Sequence, residues 1–198
     1  MTVVTEGYPV RFEVDPPASQ NRLSILFRGL LVIPHVIVLN FLGLAAGVVI
    51  TFAWFTILFA GRFPGGMLRF TIGFSRWAAR ANAYGSLLTD RYPPFSMDEE
   101  PDYPVRHAVQ EQTEDRNRLT AFFRCILLIP HEIVLSLLGI ALVFVALVAW
   151  VAGVALGRVP EGLHNFLYGY TLWTERASAY AYLLVDEYPP FSFSQETG

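Results

Sequence analysis

The chain has 198 residues, of which 54% are hydrophobic and 16% charged, and its formal net charge is −3. Soluble domains carry about 25% charged residues, so this composition argues against an ordinary soluble domain, and the acidic balance offers no basic surface for nucleic acid. The single cysteine, Cys125, excludes an internal disulfide and a cysteine-based metal cage, and its apolar surroundings make packing its expected role.

In chain order, residues 1–8 are polar, with no basic stretch leading into an apolar core, and read as lacking a cleavable signal peptide. An internal repeat organises the rest of the chain. Residues 21–96 align with 117–192 at a constant offset of 96 without a gap, and 37 of the 76 pairs are identical. Tyr8-Pro9-Val10-Arg11 recurs as Tyr103-Pro104-Val105-Arg106 at an offset of 95. The units are therefore 8–96 and 103–192, joined by the acidic linker 97–102. Each opens with a polar segment, 8–17 or 103–110, expected to be extended or a short strand. Then comes a long run, 29–61, without a formal charge; the second run, 125–157, holds only Glu132. A Gly-Arg-x-Pro stop at 61–64 and 157–160 precedes a helical pattern at 67–88 and 163–184. Both copies close on Tyr-Pro-Pro-Phe-Ser, at 92–96 and 188–192, an extended stop for the preceding helix.

A bilayer core about 30 Å thick takes roughly 20 apolar residues in helix. A helix over 29–61 would reach about 50 Å, too long for one upright crossing. Two arrangements fit. One is an interfacial helix over 22–34 followed by a span over 36–60. The other is a tight hairpin with arms at 25–39 and 44–60, turning at 40–43 and, in the second copy, at 136–139. The hairpin gathers every arginine on one side of the membrane, as the positive-inside rule expects, and identical flanks favour an even number of crossings per copy. A route through 67–88 as the second crossing stays open. In that segment Arg69, Gly73, Arg76 and Arg80 form one stripe, and Phe70, Phe74, Trp77, Ala81 and Leu88 another. This is the pattern of an amphipathic helix in the headgroup plane; packing on its own hairpin with arginines facing water fits equally well. The expected fold is an all-α membrane protein: a tandem repeat of a hydrophobic helical hairpin or span plus an amphipathic helix, with short extended polar segments.

Positions that recur in both copies are the candidates for a shared role: Arg28 and Arg124, His35 and His131, Arg80 and Arg176. The arginines suit snorkelling anchors or lipid-headgroup contacts. The Pro34-His35 and Pro130-His131 pairs place an ionisable ring inside an apolar run, which is a functional candidate by default, although a proline kink with histidine capping the freed carbonyls explains them as well. Glu132 could pair with His131 or Arg124, but copy one has Val36 there. Arg80 with Asp90, and Arg176 with Asp186, are expected ion pairs. No nucleophile–base, phosphate-loop or metal-ligand spacing occurs, so no catalytic, cofactor-binding or metal residue is assigned and no cofactor is expected.

The string Tyr8-Pro9-Val10-Arg11, Arg22-Leu23-Ser24, Ile33-Pro34-His35, Gly61-Arg62 and 92–96 resembles a bacterial membrane family, domain of unknown function 4389, in both copies. The second departs at its start, where Phe12-Glu13-Val14 becomes His107-Ala108-Val109. The resemblance implies a prokaryotic inner-membrane protein and carries no catalytic residues. The expected function is a non-enzymatic membrane scaffold or partner-binding subunit, multi-pass in the cell membrane with cytoplasmic termini. The bilayer, and a protein partner or a second copy, are its expected partners. The alternative is a small transporter or channel component with the repeats packed about a pseudo-two-fold axis.

Overall fold

A computed structural model describes residues 7–15 and 19–194. The sequence readings made on 1–6, 16 and 17 lie outside the described residues. The elements are strand β1 (Val10–Val14), helices α1 (Arg22–Leu26), α2 (Arg28–Ala60) and α3 (Gly65–Gly85), then β2 (Val105–Val109), α4 (Arg118–Leu156) and α5 (Glu161–Ala181). The chain is mostly helical, and both polar openings are strands, as expected.

The turn expected at 40–43 does not form. α2 runs unbroken through it for 33 residues, about 50 Å, and α4 runs through 136–139 for 39 residues. No residue there forces a stop: Asn40 turns its amide back onto the Val36 carbonyl at 2.7 Å, inside its own helix. Nor does the break fall at Pro34. It falls at Phe27, which separates α1 from α2; its equivalent, Phe123, sits inside α4. Both long helices end on a glycine in the left-handed region, Gly61 (φ 69°) and Gly157 (φ 71°), a conformation glycine adopts without steric cost.

Each copy does form a helical hairpin, but its arms are α2 with α3 and α4 with α5. α3 returns along α2: Phe74 packs on Gly43, Trp77 bonds to His35, and Gly85 meets Val32. Its opposite face meets β2, where Ser75 contacts His107. Residues 74, 77, 81 and 85 share one helix face and 72, 76, 79 and 83 the other, so α3 lies between α2 and the sheet. Of the two arrangements the sequence allowed for this helix, the packed one is found, as an interior layer, but its arginines do not all face water. Arg80 is buried, and Arg76 and Arg80 bond to the 96–99 segment that covers them.

The copies are related by a pseudo-two-fold axis. β1 and β2 pair antiparallel with Phe12 opposite His107, and these are equivalent positions, so the axis passes between them. Around it the contacts are reciprocal. Trp54 Nε1 donates to the Ala121 carbonyl and Trp150 Nε1 to that of Ile25, both at 2.9 Å. α2 and α4 are therefore antiparallel. So are α3 and α5, which meet at Phe74–Tyr182 and Asn82–Glu175. The strands are exchanged: His107 of copy two sits on α3, whereas the Phe12 carbonyl accepts from Tyr168 of α5 at 2.9 Å.

Three layers result: α2 with α4, then α3 with α5, then the sheet. The outer surface of the first layer is bare apolar side chain. Phe41, Leu44 and Phe59 are 71%, 73% and 80% exposed, and α4 shows Leu137, Ile140 and Phe144 in the same way. α2 and α4 are both long and apolar enough to cross a membrane. The sheet carries the exposed charges Arg11, Glu13 and Arg106 on the opposite side.

Candidate functional site

Arg28 and Arg124 anchor two equivalent clusters, one in each copy. In the first, Arg28 comes from the start of α2 and is 2% exposed. Its Nη1 donates to the Thr89 carbonyl at 2.7 Å, its Nη2 reaches Asp90 at 2.7 Å, and the guanidinium lies 4.5 Å from the Tyr84 ring centroid. Thr89 and Asp90 follow the C-terminus of α3, where the chain turns through Leu87 at φ 62°. That turn is the double closure typical of a left-handed helix stop: Leu88 N bonds to the Ala83 carbonyl and Leu87 N to that of Tyr84. A cation on the carbonyls beyond a helix C-terminus is favourable in its own right. Asp90 completes the join by accepting from Asn21 N at 3.0 Å and from the Ser24 hydroxyl, at the start of α1. Arg28 and Asp90 thus fasten the last turn of α3 to the first turn of the apolar arm.

The second cluster repeats this. Arg124 bonds to the Tyr180 and Val185 carbonyls and to Asp186 at 3.0 Å, with its guanidinium 4.2 Å from the Tyr180 ring centroid. Arg116, where copy one has Gln20, adds a second cation on Asp186 at 2.9 Å. The aspartates therefore pair with Arg28 and Arg124, not with Arg80 and Arg176 as the sequence suggested. Sequence proximity misled: Arg80 lies a few turns before Asp90, yet faces the other way, donating to the Ser96 carbonyl. Arg176 donates to the Ser194 carbonyl at 3.2 Å and lies beneath the Tyr8 ring at 5.6 Å. Nor do Arg28 and Arg124 extend outward as snorkelling anchors; both are enclosed.

His35 and His131 are fully buried. The Trp77 indole donates to His35 Nδ1 at 3.0 Å and Trp173 to His131 Nδ1 at 2.9 Å. An indole N–H only donates, so each ring carries its proton on Nε2. The Tyr-Pro-Pro-Phe-Ser segments fold back as lids: Phe95 stacks on His35 at 3.9 Å and Phe191 on His131 at 4.0 Å. Tyr92 donates to the Leu31 carbonyl and Tyr188 to that of Leu127. The histidines hold the end of each repeat against its long helix and do not cap carbonyls freed by proline.

One polar cluster escaped the sequence reading because it occurs once. Ser75 Oγ lies 3.1 Å from His107 Nε2, Glu175 Oε2 lies 3.5 Å from the same nitrogen, and Asn82 donates to Glu175 Oε1 at 3.0 Å. Burial lowers His107 to about 4, helped by Arg76 and Arg80, and raises Glu175 to about 7, moderated by the Asn82 bond. The residue types are those of a hydrolytic triad, but the geometry is not. Serine and carboxylate share one ring nitrogen, whereas a triad places the carboxylate on the other. The cluster sits where copy one and copy two meet, and its equivalents are Thr171, Phe12, Ala79 and Ser178.

A family model described as a domain of unknown function, DUF4389, matches residues 22–97 and again 118–192. The chain belongs to the DUF4389 family. The two matched DUF4389 units begin with α1 and with α4 and leave both strands outside, so each unit comprises the two-helix arm, the Arg–Asp clasp and the aromatic lid. No curated protein and no solved structure matches the chain.

Proposed function

We propose that this protein is a non-enzymatic membrane scaffold that lies in the plane of the bilayer, its α2–α4 layer immersed and its sheet facing water. The bare apolar layer carries the reading. Exposed apolar surface on this scale marks a membrane or partner surface, and residues 29–61 supply no charge to hydrate it. The pseudo-two-fold axis supports this orientation. Because α2 and α4 are antiparallel, upright helices would place that axis in the membrane plane. The exposed charges Arg11, Glu13 and Arg106 on the strands beside it would then lie at bilayer depth, where each charge costs several kcal/mol, of order 3. With the helices lying flat the axis stands along the membrane normal, and all of the sheet charge faces water.

Depth measurement tests this. Single cysteines at Leu30, Phe41 and Phe59, on a Cys125→Ser background, are spin-labelled in vesicles and compared by oxygen and nickel-complex relaxation. Flat helices give similar depths at all three sites. A deep Phe41 between two shallow ends would overturn the reading in favour of a small transporter or channel component, which the antiparallel repeats also suit.

A further inference from the structure

The two copies differ in chemistry along one groove between α4 and α5. Glu132, Ser136 and Gly139 line its α4 side, and Tyr170, Thr174 and Ser178 its α5 side, around a cleft of about 280 Å³. Spacings of three or four positions put each set on one helix face. Copy one has Val36, Asn40 and Gly43 opposite Phe74, Ala78 and Asn82. There the Phe74 ring packs on Gly43, where an added Cβ would lie at ordinary contact distance, 3.6 Å; in copy two the Tyr170 hydroxyl approaches Gly139 in the same way, at 3.4 Å. In copy two a carboxylate and hydroxyls line the gap.

Glu132 is the only formal charge between Cys125 and Gly157. It is exposed, and among the described residues it pairs with neither His131 nor Arg124. A carboxylate on an otherwise apolar surface needs a cation. Beside the polar groove, sharing Glu132 and Ser136 with it, α4 presents an open apolar strip of Ile129, Ile133 and Leu137. A polar cleft bordered by an apolar helix face matches the two chemistries of one amphiphile.

We infer that this cleft and the apolar strip beside it bind a phospholipid whose headgroup ends in a primary ammonium. The ammonium bonds to Glu132, the Ser136 and Ser178 hydroxyls donate to the phosphate, and an acyl chain lies over Ile129, Ile133 and Leu137. At about 280 Å³ the polar cleft falls just below the usual range for whole-ligand sites and takes a headgroup, with the chains left outside. The inference rests on the membrane reading above.

The test is lipid retention by the whole protein in nanodiscs of equimolar phosphatidylethanolamine and phosphatidylcholine, read by native mass spectrometry. Phosphatidylcholine has no N–H to give, so the wild type is expected to retain phosphatidylethanolamine about tenfold better, as one charge-assisted hydrogen bond implies. Glu132→Gln should abolish the preference without changing the melting temperature, and Ile133→Ala should weaken retention of both lipids alike. An unchanged preference in Glu132→Gln, or equal retention of both lipids by the wild type, overturns the inference and leaves the membrane reading standing. A protein that retains neither lipid overturns both. Soluble glycerophosphoethanolamine competing as well as the lipid at equal concentration would also overturn it, because the apolar strip would then contribute nothing.

Discussion

The two repeats are the natural comparison within this molecule. What they share holds each unit together: Arg28–Asp90 and Arg124–Asp186, His35–Trp77 and His131–Trp173, and the Phe95 and Phe191 lids. What they do not share lies where one copy meets the other or its surroundings. The crossing contact shows how the difference is accommodated. Ile25 of copy one fits over Gly153, where an added Cβ would come within 3.1 Å of it. On the other side of the axis the large residue is Ile57 and the small one Ala121, and both are buried in one cluster. Large and small have changed places between equivalent positions, so the interface is complementary but no longer symmetric. A duplicated interface can specialise by exchanging volume across its axis.

The largest expected effect tests the shared clasp. Arg28→Met strips Asp90 of its cation and the α3 terminus of its cap, which should cost about 3 kcal/mol of unfolding free energy. Arg124→Met should cost roughly half as much, because Arg116 still neutralises Asp186 and holds the Leu183 and Leu184 carbonyls. Equal losses in detergent-solubilised protein would show that Gln20 and Arg116 are equivalent. The volume exchange gives the next effect. Gly153→Ile should cost about 1–3 kcal/mol by overpacking and Ile25→Ala about 2–4 kcal/mol. The double variant, which restores the pairing found on the other side of the axis, should recover at least about 1 kcal/mol of the sum. Strict additivity in denaturant unfolding would show the two positions to be uncoupled and the exchange to be without consequence.

The unshared polar cluster predicts opposing pH effects. Glu175 titrates at about 7 in the folded chain, above its ordinary value, so its contribution is present below about pH 4.5 and is lost as pH rises through 7. His107 titrates at about 4, below its ordinary value, so its contribution is present above about pH 6.5 and is lost as pH falls through 4. Between about pH 4.5 and 6.5 the two offset each other. Glu175→Gln should leave stability rising with pH in that window, and His107→Phe should leave it falling, each by about 1–3 kcal/mol. Melting curves taken across that window and one unit above it check both signs. The smallest effect belongs to the exposed strand pairs of Arg106 with Glu13 and Asp15. Arg106→Gln should cost under about 1 kcal/mol, and salt at about 1 M should remove most of the difference.

Much of this was legible in the sequence. The repeat, the strands, the apolar runs and the helices 67–88 and 163–184 all follow from periodicity and composition. Recurrence in both copies singled out Arg28, His35 and Arg80 with their equivalents. The pairing itself was not legible, because α3 doubles back along α2 and brings Asp90 to Arg28 from the far end of the hairpin while turning Arg80 to the opposite face. The hairpin was expected inside α2 because the charge-free run looked too long for an upright span. Nothing in Asn40 or Gly43 forces a turn, however, and α2 runs unbroken through both. Requiring recurrence also hid His107, Glu175 and Glu132, whose surroundings exist only where the copies have diverged.

The exchanged strands have a consequence for synthesis. When the first repeat leaves the ribosome, the face of α3 bearing Ser75, Ala79 and Ala83 has no cover, because β2 lies beyond the linker and pairs with β1 across the whole of the first unit. α5, in turn, waits on a strand made long before it. Neither repeat can cover its own inner helix with its own strand, and a protein truncated at the linker would emerge as an unfinished surface and not as half of the whole.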